Sequence, residues 1–189
     1  MLKKLIFALA LLASPLAAAE LGDDGLHKPD WLQNTFRDMA EDLAEATDSG
    51  LRLLVIWEQR GCIYCTRMHE NIFPDPEIDA YIRAHYFVVQ MNLFGDVEVT
   101  DFDGEVLSEK QMARKWGVVF TPTMMFFPEE AGDEPANMAA VLTMPGAFER
   151  GTVLDMLTWI VEHGYENEEE HFQHYSARMV AQRRAASGN

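Results

Sequence analysis

The two cysteines of the sequence form a single Cys-x-x-Cys motif, Cys62-Ile63-Tyr64-Cys65. A disulfide that stabilises a fold usually closes a long loop, because the entropy removed from the unfolded chain grows with loop length. A disulfide within this motif would close a very short loop and would stabilise the fold little. The cysteines are therefore expected to do chemistry, either thiol–disulfide exchange or metal binding.

Zinc is the main alternative to thiol–disulfide exchange. A structural zinc site usually has four Cys or His ligands, and the sequence has no second cysteine pair. His69 follows Cys62 by about two helical turns and could supply a further ligand. Exchange is the favoured interpretation, and a zinc site formed by Cys62, Cys65 and His69 stays open. The favoured interpretation needs no metal and no cofactor other than a redox-active Cys62–Cys65 pair.

The elements around the motif predict how the thiols are presented. Residues 51–57 form a nearly continuous apolar run, which is typical of a strand buried on both faces. Residues 58–61 form a polar turn, and residues 62–71 favour a helix. The unpaired N–H groups at a helix N-terminus stabilise a thiolate. Cys62 is therefore expected to be the exposed attacking thiol, and Cys65, one turn deeper, is expected to resolve the mixed disulfide.

A second signal is Thr121-Pro122, which directly precedes an apolar stretch at 123–127. Proline is tolerated at the first position of a strand, so this stretch is predicted to be a strand. If the bond were cis, it would expose backbone groups able to pair with an extended peptide beside the cysteines. Both isomers are compatible with the sequence.

The remaining pattern predicts an α/β fold. Strands are expected at 87–93 and 139–144, with a small hairpin between 97 and 106 and a Gly/Pro-containing loop at 129–137. Helices are expected from Asp30, as N-cap, to Ser49-Gly50, and at 76–85, 108–116 and 149–163. Two parallel strands linked by a helix, followed by an antiparallel pair, predict a mixed central sheet with helices on both faces.

The chain ends and the charge bear on where the protein acts. Residues 1–19 combine two lysines, an apolar run too short to span a bilayer and three alanines, which predicts a cleaved signal peptide and a periplasmic protein. No membrane insertion is expected after cleavage. The net charge of −16 disfavours nucleic acid as a partner. Residues 20–50 are predicted to be a helical extension, 51–165 the main domain, and 166–189 a polar helix and tail.

The sequence resembles the thioredoxin superfamily in the Cys-x-x-Cys motif at a strand-to-helix junction, in Lys-Trp-Gly-Val-Val-Phe-Thr-Pro-Thr at 115–123 and in Pro-Gly at 145–146. The stretches 61–65, 99–105 and 120–123 are similar to periplasmic thioredoxins of bacterial sulfur-oxidation (Sox) systems. The resemblance implies the thioredoxin fold, with Cys62 as nucleophile, Cys65 as resolving thiol and Pro122 as a cis-proline supported by Thr121. It also implies that a membrane thiol–disulfide donor supplies electrons and that oxidised periplasmic proteins are the substrates.

Two departures from that family bear on the mechanism. Ile56 stands six residues before Cys62, where thioredoxins usually have a buried carboxylate, and Glu58 is the nearest acid that could assist proton transfer from Cys65. Turn residues are usually solvated, which is the competing interpretation of Glu58. The dipeptide Ile63-Tyr64 lacks the histidine of strongly oxidising relatives, which favours a reductant. A disulfide oxidase or isomerase, and a non-enzymatic metal-binding or chaperone-like module, are the alternatives.

Overall fold

The computed structural model describes residues 19–188. Its strands are β1 (Glu20–Leu21), β2 (His27–Lys28), β3 (Arg52–Glu58), β4 (Tyr86–Asn92), β5 (Glu98–Thr100), β6 (Val106–Ser108), β7 (Thr123–Phe126) and β8 (Leu142–Pro145). Its α-helices are α1 (Met39–Asp48), α2 (Ile63–Arg67), α3 (Pro76–His85), α4 (Glu109–Lys115), α5 (Ala136–Ala139), α6 (Arg150–Val161) and α7 (Phe172–Ser187). A π-helical turn, Met68–Ile72, continues α2, and a 3₁₀ turn, Gly164–Glu166, follows α6.

The central sheet has the strand order β4-β3-β7-β8. β4 runs parallel to β3, with Val89 opposite Val55, whereas β7 runs antiparallel to β3, with Met125 opposite Val55. β8 is antiparallel to β7 and forms one edge of the sheet. The apolar run predicted β3 correctly, because a strand covered on both faces has no solvent-facing positions. β1 with β2, and β5 with β6, form two small hairpins outside this sheet.

Successive side chains of β3 point into two separate cores, as the alternation of a strand requires. Leu54 and Ile56 lie in the core that also contains the buried residues of α3 and α6. Val55 and Trp57 lie in the core on the opposite face, together with buried residues of α1 and α4. The structure therefore confirms the predicted mixed sheet with helices on both faces.

The N-terminal segment differs from the prediction. The helix expected to begin at Asp30 begins at Met39, and the side chain of Asp38 caps it by accepting hydrogen bonds from two first-turn amides. Leu32, expected on the apolar face of that helix, forms an isolated parallel bridge with Val88 in β4. The apolar spacing was misleading because Leu32 is paired with the edge of the sheet rather than with the next turn of a helix.

Most of the other predicted elements lie within a residue or two of their expected positions, including α3, α4, α6 and the β5–β6 hairpin. The strand expected to begin at Ala139 begins at Leu142, because residues 136–139 form the short helix α5. Ala136 and Ala139 of this helix are buried in the second core. The loop predicted for residues 129–137 is thus shorter than expected.

The C-terminal segment packs on the fold more closely than the predicted polar helix and tail implies. Phe172 and Tyr175 of α7 are buried, and the ring of Phe172 contacts that of Trp159 edge-on at a centroid distance of 5.6 Å. The guanidinium of Arg183 forms two hydrogen bonds with the buried carboxylate of Asp155 in α6. Apolar contacts and an ion pair therefore fix α7 against α6.

Two predictions about membranes and export fall partly outside the described residues. The predicted signal peptide, 1–19, lies outside them except for Ala19. Within residues 19–188, no helix has both the length and the apolar character needed to cross a bilayer.

Candidate active site

The cysteine pair lies where β3 passes through a tight turn into α2. Cys62 is the N-cap residue of α2, and its Sγ is bonded to Sγ of Cys65 in a disulfide. The backbone N–H of Cys65 donates a hydrogen bond to Cys62 Sγ, with an N–S distance of 3.0 Å. Gly61, at φ +71, makes the preceding turn in a backbone region that L-residues rarely adopt. A thiolate on Cys62 would therefore have an amide hydrogen already directed at it, which stabilises the negative charge.

Thr121 and Pro122 lie directly beside Cys62. The Thr121–Pro122 peptide bond is cis, and the carbonyl oxygen of Thr121 lies 3.4 Å from Cys62 Sγ. The hydroxyl of Thr121 donates a hydrogen bond to the same sulfur, with an O–S distance of 3.3 Å. The structure thus brings the two sequence signals together, and Thr121 adds a second donor to the sulfur of Cys62.

The two segments that meet at this sulfur carry exposed apolar side chains. Ile63 and Tyr64, between the cysteines, are 74% and 56% exposed. Val119 and Phe120, in the loop that leads to Pro122, are also largely exposed. Large apolar side chains that cluster on a surface usually mark a site of contact with another molecule. This apolar rim, defined by these four residues, therefore suits a protein or peptide surface.

Glu58 is not in a solvated turn, as one interpretation of the sequence expected. It is the last residue of β3 and is fully buried. Its Oε1 lies 2.7 Å from Nε2 of His69, and its Oε2 accepts a hydrogen bond of 2.6 Å from the side-chain amide of Gln90. Glu58 and Ile56 point to the same face of β3 because they are two residues apart. Glu58 thus places a buried carboxylate on the same face of β3 as Ile56, but two residues closer to the cysteines.

The N-terminal segment covers the Glu58–His69 pair. The ring of His27 stacks on that of His69 with a centroid distance of 4.5 Å, and Lys28 donates a hydrogen bond to the side-chain oxygen of Gln90. Burial and the nearby His69 lower the pKa of His27. Neither His27 nor Gln90 was predicted from the sequence to be part of the site. Gln90 could have been found as the polar residue at the centre of the apolar stretch 87–93, which predicted β4.

His27, Glu58 and His69 have potential ligand atoms within 4.8 Å of one another. A metal ion lies close to the plane of each imidazole that binds it, since the nitrogen lone pair is in that plane. The two rings are stacked with an interplanar angle of 10°, so no single ion can lie in both planes. The arrangement fits a stacked, hydrogen-bonded group and not a set of metal ligands.

Comparisons with known proteins agree with this geometry. A family model described as a thioredoxin-like domain matches residues 39–148. Among solved structures, a thioredoxin-fold protein from Helicobacter pylori is similar, with 18% identity over 77% of this chain and 92% of that chain and a TM-score of 0.51. A thioredoxin from Thermus thermophilus is similar with 23% identity over 67% of this chain and 86% of that chain and a TM-score of 0.52.

The two structural similarities show the shared fold, and a comparison with curated proteins gave no match. The family model covers more than half of the chain and includes both cysteines and Pro122. With its disulfide-linked Cys62–Cys65 pair on this fold, the chain belongs to the thioredoxin-like family.

Proposed function

We propose that the chain is a thiol–disulfide oxidoreductase that reduces disulfides of partner proteins. The observation that carries the proposal is the Cys62–Cys65 disulfide at the start of α2, with two hydrogen-bond donors directed at Cys62 Sγ. Donors that stabilise a thiolate on Cys62 make it the better attacking and leaving group of the two. The more deeply buried Cys65 then serves as the resolving thiol.

The reaction transfers two electrons to the partner. The thiolate of Cys62 attacks one sulfur of the partner's disulfide, and the other partner sulfur leaves as a thiolate. Cys65 then attacks Cys62 in the mixed disulfide, and the second partner sulfur leaves. The partner ends as a dithiol and this chain as the Cys62–Cys65 disulfide. The apolar rim supports a protein partner, because it would be covered when a polypeptide lies against Cys62.

The cellular setting is part of the proposal. The predicted signal peptide supports a periplasmic location, where a membrane thiol–disulfide protein would return the Cys62–Cys65 pair to the dithiol. The three stretches that resemble periplasmic thioredoxins of Sox systems support substrates among the proteins of sulfur oxidation. The acidic charge of the chain disfavours nucleic acid as a partner.

The direction of electron transfer is tested by the reduction potential of the Cys62–Cys65 pair. The purified protein is equilibrated with defined thiol–disulfide buffers, and its free thiols are alkylated and counted by mass. A potential near the roughly −270 mV of thioredoxin supports a reductant. One near the roughly −120 mV of a strong periplasmic oxidant would instead identify a disulfide oxidase, and an intermediate value with a dimer in solution would favour an isomerase.

The roles of the two cysteines are tested by trapping. A Cys65→Ser variant is expected to accumulate mixed disulfides with partner proteins, because nothing resolves the bond to Cys62. Cys62→Ser is the matched control and is expected to trap almost none. Equal trapping by both variants would contradict the assigned roles. Stoichiometric zinc that is lost when both thiols are alkylated would show a metal-binding module instead of an enzyme.

A further inference from the structure

Cys65, His69 and Glu58 form a buried polar row beneath the disulfide. Their exposed fractions are 2%, 2% and 0%. Cys65 and His69 are four residues apart in the continuous helical stretch formed by α2 and the π turn, so they lie about one turn apart along it. Helical side chains lean toward the N-terminus, which directs the side chain of His69 toward the turn that carries Cys65. On its other side, His69 Nε2 meets Glu58 at 2.7 Å.

The hydrogen bond to Glu58 fixes which nitrogen of a neutral His69 carries the hydrogen. When Glu58 is ionised its carboxylate only accepts hydrogen bonds, so Nε2 of His69 is then the donor and Nδ1 bears a lone pair. Nδ1 is buried and has no hydrogen-bond partner among residues 19–188. Cys65 has no S–H in the disulfide form, but the dithiol form has one, a single helical turn away. Reduction of the disulfide therefore creates an S–H donor about one helical turn from an acceptor that lacks a partner.

Resting on the proposed function, we propose that His69 is the proton acceptor that activates Cys65, and that Glu58 positions and stabilises it. In the mixed disulfide, Nδ1 of His69 takes the proton from the S–H of Cys65. The resulting thiolate attacks Cys62 Sγ, the bond between Cys62 and the partner's sulfur breaks, and its electron pair leaves with the partner thiolate. The imidazolium is held by the carboxylate of Glu58 until the proton passes to water.

A cavity lies beside these buried residues. His69 lines a cavity of about 340 Å³ between the N-terminal segment and the helical region that follows the cysteines, together with Trp31 and Phe73. The charged and titratable groups around His69 affect the pH dependence of its role. Glu70 is next to it in its own helical turn, Glu58 contacts it from β3, and His27 of β2 stacks on its ring. The charged groups that line the cavity are Glu20, Lys28, Asp30, Asp79 and Arg83.

The two thiols can be followed separately in a single turnover. Reduced protein is mixed in a stopped-flow instrument with an equimolar amount of 5,5′-dithiobis(2-nitrobenzoic acid), which releases a coloured thiolate at each step. The first phase reports attack by Cys62, and the second, concentration-independent phase reports attack by Cys65. In His69→Phe, which keeps an aromatic ring in the stack, the second phase is expected to slow about 100-fold at pH 7. The first phase is expected to change less than about two-fold.

The pH profile separates proton transfer from a loss of packing. The deficit of His69→Phe is expected to shrink as the pH rises toward about 9.5, since hydroxide then removes the proton of Cys65. A folded His69→Phe protein whose second phase matches wild type at pH 7 would overturn the inference, as would a deficit that is the same at every pH. His174→Phe, on the exposed face of α7, is the matched control and should leave both phases unchanged.

A second variant covers the case in which His69→Phe does not fold. Glu58→Gln keeps the shape of the side chain but removes the charge that stabilises the imidazolium, and is expected to slow the second phase about 10-fold at pH 7. An unchanged second phase in Glu58→Gln would contradict the role of the pair. A wild-type protein that released no second thiolate would instead overturn the proposed function itself, so the two failures are distinguishable.

Discussion

Replacing Asp42 with asparagine is expected to stabilise the protein at neutral pH. The carboxylate of Asp42 lies in the first turn of α1 with only 3% of the residue exposed. Burial raises the pKa of Asp42 from 3.8 to about 6; a hydrogen bond from Thr35 acts in the opposite direction, and the charges of Asp38, Glu45 and Glu41 add to the increase. The folded state therefore binds the proton of Asp42 more tightly than the unfolded state. Stability is lost as the pH rises through the interval between these two pKa values.

The magnitude follows from the two pKa values. For an acid with a pKa of 3.8 unfolded and about 6 folded, ionisation costs about 3 kcal/mol of the free energy of unfolding at pH 8 and roughly half as much at pH 5. Asparagine mimics the protonated acid and can accept the same hydrogen bond from Thr35. The stability gain of Asp42→Asn over wild type is therefore expected to be larger at pH 8 than at pH 5 by about 1 to 2 kcal/mol.

Urea unfolding at pH 5 and pH 8, followed by far-UV circular dichroism, measures this difference. Comparing variant with wild type at each pH cancels the titration of all other groups that the substitution leaves unchanged. Asp48→Asn, at the exposed end of the same helix, is the control and should show a pH-dependent difference below about 0.3 kcal/mol. The reasoning would be refuted if Asp42→Asn gave the same stability change at both pH values.

Two further predictions concern the C-terminal helix and the apolar rim. Arg183→Met leaves the buried carboxylate of Asp155 without its charged partner and should lower the free energy of unfolding by about 3 kcal/mol in urea titrations. Arg184→Met, on an exposed part of the same helix, should change it by less than about 0.5 kcal/mol, and equal effects would contradict the role of the ion pair. Phe120→Ala should raise KM for a protein disulfide about ten-fold and leave the rate with a small disulfide unchanged. Met138→Ala, an exposed apolar truncation beyond the far end of β7, should leave KM unchanged, and an equal rise in both variants would argue against docking at the rim.

The sequence predicted best those elements whose signals are local. A proline in the first turn and a capping aspartate mark the start of α3, and Asp75 does accept hydrogen bonds from two first-turn amides. Ser108 and Gln111 likewise form the capping box of α4. The apolar run of β3 needed no knowledge of its neighbours, because any strand at the centre of such a sheet must be apolar on both faces.

The N-terminal segment was predicted wrongly because its contacts are distant in sequence. Leu32 and Phe36 have helical spacing, yet Leu32 pairs with Val88, and Phe36 is 92% exposed. Arg37, at φ +59, has a left-handed backbone conformation that interrupts a helix just before α1. An arginine side chain does not predict such a conformation. The conformation of this segment depends on pairing between residues more than fifty positions apart, which local periodicity cannot predict.

The site shows the same division. The Cys-x-x-Cys motif and Thr121-Pro122 could be identified from residue types alone, and the structure places them in contact. The burial of Glu58 could not be predicted from residue types alone, because a charged residue at the end of a strand is usually solvated unless other elements supply partners. His69 and Gln90 supply those partners from two different elements.

The N-terminal segment also bears on how the chain behaves at high concentration. β4 is an edge strand of the central sheet. On the side of β4 that faces away from β3, the backbone N–H of Gln33 donates a hydrogen bond to the carbonyl oxygen of Val88. An uncovered apolar edge strand is a template for pairing with another chain. A shortened protein that begins at residue 39, where the family match begins, would present this edge to its neighbours. Trimming the chain to the matched domain is therefore expected to cause self-association. By covering the edge of β4, the N-terminal segment prevents this pairing between chains.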